Sequence, residues 1–178
     1  MRGFSLVELM VVVAIVAVLA LIATVTYRRL IASSRTAEAL QMVHAIRAAQ
    51  EAYHAETLRY ANVSPDLTTT YPAAAPGAFV TAWGAPCTSC NANVSWATLS
   101  VHVDGPVAYG YATTAGVAGT APNPASVTVN GQAVAFPTPS PTDWFVIGAT
   151  GDTNGDGIPC NVYGMSWTND VFVSGEGN

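Results

Sequence analysis

The chain contains no lysine, and no arginine beyond Arg59. Its six arginines (Arg2, Arg28, Arg29, Arg35, Arg47 and Arg59) share the first 59 residues with four glutamates, for a formal charge of +2. The remainder carries seven acids and no lysine or arginine, a charge of −7. So abrupt a change implies two physically different parts. An acidic, lysine-free second part excludes phosphate-backbone recognition, so no nucleic-acid partner is expected. Its charge serves solubility at high local concentration. Cysteine is scarce: Cys87, Cys90 and Cys160, an odd number that leaves at least one unpaired within the chain. Glycine and proline are missing from Phe4 to Ala61, so nothing in that stretch breaks a helix. There is no phosphate-binding loop, no G-x-S-x-G context and no nucleophile–base pattern, which argues against an enzyme. The three histidines are scattered. His44 and His54 stand about 280° apart around a helix, too far to share a face.

What is present begins with an apolar run, Leu9 to Ala23, interrupted on its N-terminal side only by Glu8. With Phe4 to Leu6 and Val25 it covers about 22 residues. At ~1.5 Å per residue that is ~33 Å of helix, enough to cross a ~30 Å hydrocarbon core. A cleavable secretory signal fits less well. Only three residues precede the run, Glu8 sits inside it, and no good small-x-small site follows, Ala20 and Ala23 being the nearest. From Tyr27 to about Tyr60 the pattern becomes amphipathic. Ala39, Met42, Val43, Ile46, Ala49 and Tyr53 form one helical stripe, and the charged residues fall mostly off it. A helix of ~57 residues would be ~85 Å long, more than a small domain can enclose, so its first half must project into lipid or into other subunits.

After Asn62 the texture changes to a proline-rich connection and then to strand signals. Strands are expected at Val94–Val103, Val107–Thr113, Trp144–Ala149 and Val171–Val173. A hairpin is expected at Val127–Val129 and Gln132–Phe136 around Asn130-Gly131, a type I′ turn sequence. One long helix followed by strands predicts an α+β fold: an antiparallel sheet packed on the polar half of the helix. The expected divisions are a leader at residues 1–3, a membrane or filament-core helix at 4–27, an amphipathic stalk at 28–60 and a β-rich head at 61–178.

Two motifs in the head carry possible chemistry. Asp152-Thr153-Asn154-Gly155-Asp156-Gly157 matches the opening of a calcium loop, with oxygen donors at alternate positions and glycine at the sixth. Tyr163 stands where an EF-hand has its bidentate glutamate, so Asp170 or Asp143 would have to complete the shell. A metal-free turn rich in Asp, Asn and Gly is the competing reading. Cys87-Thr88-Ser89-Cys90 is a C-x-x-C without the βαβ context of a redox site, without four zinc ligands, and followed by Asn91 rather than the histidine of a haem attachment. A structural disulfide outside the cytoplasm is the expected outcome, either within the pair or from one of the pair to Cys160.

The N-terminus, Met1-Arg2-Gly3 and then FSLVELMVVVAIVAVLA, resembles that of the type IV pilins and pseudopilins. The family pattern is a short basic leader ending in Gly, then Phe, a Ser or Thr, two aliphatics, Glu and a long apolar helix. Gly3, Phe4, Ser5, Leu6, Val7 and Glu8 occupy those positions. The resemblance implies cleavage between Gly3 and Phe4 by a prepilin peptidase and methylation of the Phe4 amine. It implies a helix that anchors the subunit in the inner membrane and, with an assembly platform, later becomes the core of an extracellular filament. AAQEAYHAETLRY (Ala48 to Tyr60) is similar to the end of the stalk in several pilins. The implied function is a structural filament subunit serving adhesion, motility or a related fibre process, as a homo-oligomer or co-assembled with other pilins. A type II secretion pseudopilin and a calcium-dependent adhesive minor pilin are the alternatives.

The resemblance also implies a disulfide from Cys160 to Cys87 or Cys90, and it supports calcium in the C-terminal loop. Where the family commonly has a helix-relaxing Gly and Pro, this chain has Ala17 and Val25. Glu8 has a physical role on its own account. A carboxylate in lipid costs about 2.5–3.5 kcal/mol, so it should pair, and the Phe4 amine of a neighbouring subunit would both satisfy it and set the register of assembly. Arg28, Arg29 and Arg35 would place the head inside by the positive-inside rule. Long C-terminal domains translocate regardless of that bias, and the family orientation is head-out.

Overall fold

A computed structural model describes residues 5–72, 79–92 and 94–175. Gly3 and Phe4 lie outside the described residues. One unbroken helix, α1 (Leu6–Thr57, 52 residues), opens the fold. It runs straight through Ala17 and Val25, as expected of a segment without Gly or Pro. It ends where Leu58 turns into the left-handed region (φ 58°) and returns its N–H to the His54 carbonyl at 2.8 Å. The strands are β1 (Gly110–Gly116), β2 (Ser126–Val129), β3 (Gln132–Ala135), β4 (Trp144–Gly151), β5 (Cys160–Met165) and β6 (Thr168–Ser174). Four of them form an antiparallel sheet in the order β1-β4-β5-β6, and β2 and β3 form a separate hairpin. The architecture is α+β and pilin-like: a long apolar helix whose second half packs on a small antiparallel sheet.

The sheet is covered on both faces, and β4 shows it. Side chains alternate across a strand. Phe145, Ile147 and Ala149 join the core shared with Ala39, Val43 and Ile46 of α1, while Trp144 and Val146 point into a second core with Leu67, Val127 and Phe136. The stripe Ala39, Met42, Val43 and Ile46 is buried as the periodicity predicts. Two polar residues join it. Thr36 is buried, and Gln50 is fully buried. Gln50 donates to the Ala61 carbonyl (2.8 Å) and to Thr113 Oγ1 (3.0 Å), and accepts from the Ala61 N–H (2.8 Å). It thereby ties the helix, the returning chain and β1 together.

Contact between α1 and β5 is close because position 164 is glycine. A Cβ there would lie 2.7 Å from Val43 Cγ1. Beside it Arg47 donates to the Met165 carbonyl at 3.3 Å and the Asp170 carbonyl at 3.5 Å, so the helix also grips the β5–β6 turn.

The hairpin forms as its turn sequence demands, with Asn130 and Gly131 at φ 49° and 80°. Other expectations require correction. Val94–Val103 is not a strand: residues 96–100 are turns, and Trp96, Leu99 and Val101 drop into the core. The free edge of β1 is met instead by Tyr71, which bridges Tyr111, while Thr81 bridges Val107 just before β1, so this segment wraps rather than pairs. The second expected strand, Val107–Thr113, begins at Gly110 and extends to Gly116. β5 was not expected from the sequence. Its Asn, Gly and Cys disguise a strand, but Cys160, Val162 and Gly164 alternate toward the helix-side core.

Replacing Gly164 with Val should destabilise the head by about 1–3 kcal/mol, the usual scale of overpacking, in urea titrations of the detergent-solubilised chain. Gln50→Leu should cost a similar ~1–3 kcal/mol, because it strands both backbone groups of Ala61. Alkali should also unfold the head. Burial, with help from the Glu51 carboxylate that Tyr60 hydroxyl donates to, pushes Tyr60 up to about 12. Burial raises Tyr109, Tyr111 and Tyr163 as well. These phenols bind their protons more tightly folded than unfolded. Their stabilisation is therefore complete below the ordinary tyrosine value of 10.0 and lost as pH climbs through and beyond 12. Tyrosinate absorbance and urea midpoints measured together across that range check it.

Candidate assembly interface

Ser5 caps α1. Its hydroxyl accepts the Glu8 N–H at 3.2 Å, and the Glu8 carboxylate accepts the Ser5 N–H at 3.3 Å and the Ser5 hydroxyl at 3.2 Å. This is a capping box, and the S-x-x-E spacing at positions 5–8 is its sequence signature. Glu8 thus has a use within its own chain, apart from any partner in a neighbouring subunit. The box holds the carboxylate at the helix N-terminus, against the positive end of the helix dipole.

From Leu9 to Ala23 every residue is apolar, and each is exposed within its own chain. Leu6 is 74 % exposed, Leu19 60 % and Leu30 67 %, and the 18-residue stretch apolar enough to span a membrane is 0 % buried. Thr24 and Thr26, the polar residues near its end, return their hydroxyls to the carbonyls of Ala20 and Ile22 at 2.8 and 2.9 Å, which hides their polarity from an apolar surrounding.

In the head, Asp152, Asn154 and Asp156 come together in one turn after β4. Asp152 accepts the N–H groups of Gly155 (2.8 Å) and Gly157 (3.0 Å). Asp156 accepts the Ile158 N–H and the Asn154 amide, both at 2.7 Å. Arg35 donates to the Thr153 carbonyl at 3.0 Å and moors the loop to α1. Asp170 is not part of this group. Residue 151 pairs with 160, at the end of β5 that meets Ser174, whereas Asp170 lies by the opposite end, near Met165. Asp143, just ahead of β4, lies at that same far end, where it accepts the Ala118 N–H at 2.8 Å. Among the described residues no cluster of three His, Cys, Asp or Glu side chains forms.

The favoured disulfide is also corrected. Cys87 and Cys90 bond to each other, and Cys160 is free and buried in β5. Cys160 lies beside Gly151 in the β4–β5 ladder and is buried in the helix-side core. The structure therefore realises the local pairing, one of the two that the residues alone left open.

Comparison with known proteins adds one decisive match. Residues 1–24 match the family described as the prokaryotic N-terminal methylation motif. The chain carries the class III signal of type IV pilins and pseudopilins. No curated protein and no solved structure matches the chain. The motif implies a prepilin peptidase substrate and a pilus-type assembly. With the apolar helix it fits a membrane-anchored pilin. Gly3 and Phe4, the positions expected for cleavage and methylation, immediately precede the Ser5 cap in sequence, so cleavage after Gly3 would leave Ser5 and Glu8 in place.

Two thiol measurements test the head chemistry. A maleimide should leave Cys160 unlabelled in the native chain and label it, and it alone, on unfolding without reductant. Removing the Cys87–Cys90 bond should cost about 2 kcal/mol, less than the ~3–5 kcal/mol of a long closed loop, because the loop is only four residues.

Proposed function

We propose that this chain is a structural subunit of a type IV pilus-like filament, held in the inner membrane before assembly and polymerised through α1 into an extracellular fibre. The observation that supports this most is the all-round apolar surface of α1 from Leu9 to Ala23, exposed within its own chain and headed by a methylation signal. A single helix of this kind has two stable surroundings, lipid tails or the helices of other copies. The reading uses both in sequence. On assembly Glu8 would exchange its Ser5 contacts for the methylated Phe4 amine of a neighbour. A buried pair of this kind costs about 3–5 kcal/mol to break, which fixes the axial step between copies. Adhesion, surface motility or a related fibre process is the service such a filament performs, and no catalytic role is assigned to the head.

Calcium enters as an accessory of this reading. It would take oxygens of Asp152, Asn154 and Asp156, with carbonyls and water completing the shell. Two carboxylates make a site of the weak extracellular class, with a dissociation constant of about 0.1–1 mM. The melting temperature should then rise only when calcium reaches that range, and Asp152→Asn should abolish the rise.

Filaments sheared from cells should contain this chain beginning at methylated Phe4, read by mass spectrometry. Glu8→Leu should still be cleaved and retained in the membrane yet be missing from the sheared fraction. A chain beginning beyond Ala20 would instead identify an ordinary secretory signal and remove the basis of this reading.

A further inference from the structure

Just past the apolar stretch, α1 and the head enclose a groove of ≈ 550 Å³, lined by Val25, Arg28, Arg29 and Ser33 on the helix side and by Thr153 and Ile158 on the loop side. Three properties of this groove belong together. Its depth is set by the helix: Leu6 to Tyr27 spans about 33 Å, so Arg28 and Arg29 emerge where hydrocarbon gives way to headgroups. Its charge is uncompensated, since neither arginine meets a carboxylate among the described residues. Its lining is amphiphilic, with Val25 and Ile158 beside the guanidinium groups.

Among the described residues, the acids of the neighbouring loop do not cancel that charge at short range. Asp152 and Asp156 do not line the groove, and their oxygens are engaged by N–H groups of their own loop. Guanidinium is the side-chain cation that grips phosphate with two parallel hydrogen bonds. Arginines on the translocated side also run against the positive-inside bias, and a bound anion would neutralise them there.

We propose that this groove holds the phosphate of an anionic phospholipid, with Arg28 and Arg29 as its cations and Val25 and Ile158 against the first apolar carbons. The assignment rests on the membrane-anchored reading above. It gives the unassembled subunit a fixed depth in the bilayer and a lipid that must leave when the helix is drawn into a filament.

The test uses the full chain in phosphatidylcholine bilayers carrying spin-labelled phosphatidylglycerol or spin-labelled phosphatidylcholine. The labelled phosphatidylglycerol should associate preferentially. Arg28→Gln or Arg29→Gln should each reduce that preference about fivefold, and Arg59→Gln, at the far end of the helix, should not. Ser33→Phe, which fills the groove and keeps both arginines, should also remove it. Circular dichroism checks that each variant folds. Equal association of both labels with the unsubstituted chain would overturn the lipid site while leaving the anchor intact. Full preference in Ser33→Phe would reduce the effect to surface charge and overturn the groove. Loss of the preference in inorganic phosphate, at matched ionic strength, would make the ligand a free anion. If the arginine substitutions abolish filaments but leave lipid preference unchanged, the groove receives a second copy of the chain instead. A chain that enters neither bilayer would sink the anchor reading itself, and this site with it.

Discussion

A helix too apolar and too long for its own head to cover is the constraint on which everything else depends. At about 25 cal/mol per Å², the uncovered aliphatic side chains between Leu6 and Leu30 represent a large cost in water. That half of the molecule therefore has no stable existence as an isolated soluble species. The head covers only what lies beyond it. Burial along α1 begins at Thr36 and ends at Gln50, a span of little more than four turns. The same continuous helix thus belongs to two environments, and the chain changes composition where one gives way to the other: apolar and nearly uncharged at first, then amphipathic, then an acidic head.

The head is attached to that helix by the apolar stripe together with a short set of directional contacts. Gln50 satisfies both backbone groups of Ala61. Arg47 reaches the carbonyls of Met165 and Asp170. Val43 packs against the bare backbone of Gly164, and Arg35 holds the Asp152 loop. These four side chains lie along one side of α1 and engage, in order, the loop after β4, strand β5, the β5–β6 turn and the chain that returns from the helix. The position of the head along the helix is therefore specified by polar and steric matches, which are directional, and only its adhesion by the apolar stripe, which is not.

Much of this was legible in the residues. The long helix, its two halves, the Asn130-Gly131 hairpin and strand β4 follow from periodicity and turn chemistry, because each depends on neighbours in sequence. What failed depended on partners distant in sequence. The segment from Val94 to Val103 has the alternation of a strand, yet Tyr71 rather than this segment bridges the outer edge of β1, and its apolar residues fold into the core through turns. Strand β5 looked like a loop because Gly164 and Cys160 are small, and their smallness is intelligible only once the helix lies on top of them. Gln50 has the composition of a surface residue and is buried because the chain doubles back onto it at Ala61. In the candidate site, Ser5 and Glu8 could be read as a pair from spacing alone. Asp152, Asn154 and Asp156 share one turn because they are neighbours in sequence, whereas the place of Asp170 was set by strand register, which no local motif encodes.

The position of the one disulfide has a mechanical consequence. In the filament proposed above, a subunit would be loaded through its helix, and the load would reach the head through the contacts of Gln50, Arg47 and Val43. The covalent cross-link closes a four-residue loop at Cys87–Cys90, and no cross-link ties the last two strands, β5 and β6, to the rest of the sheet. Under tension these strands are retained by hydrogen bonds and packing alone. β6 sits at the sheet's edge with β5 between it and β4, so a pull on the C-terminal end would peel the ladder one rung at a time instead of shearing all its rungs together.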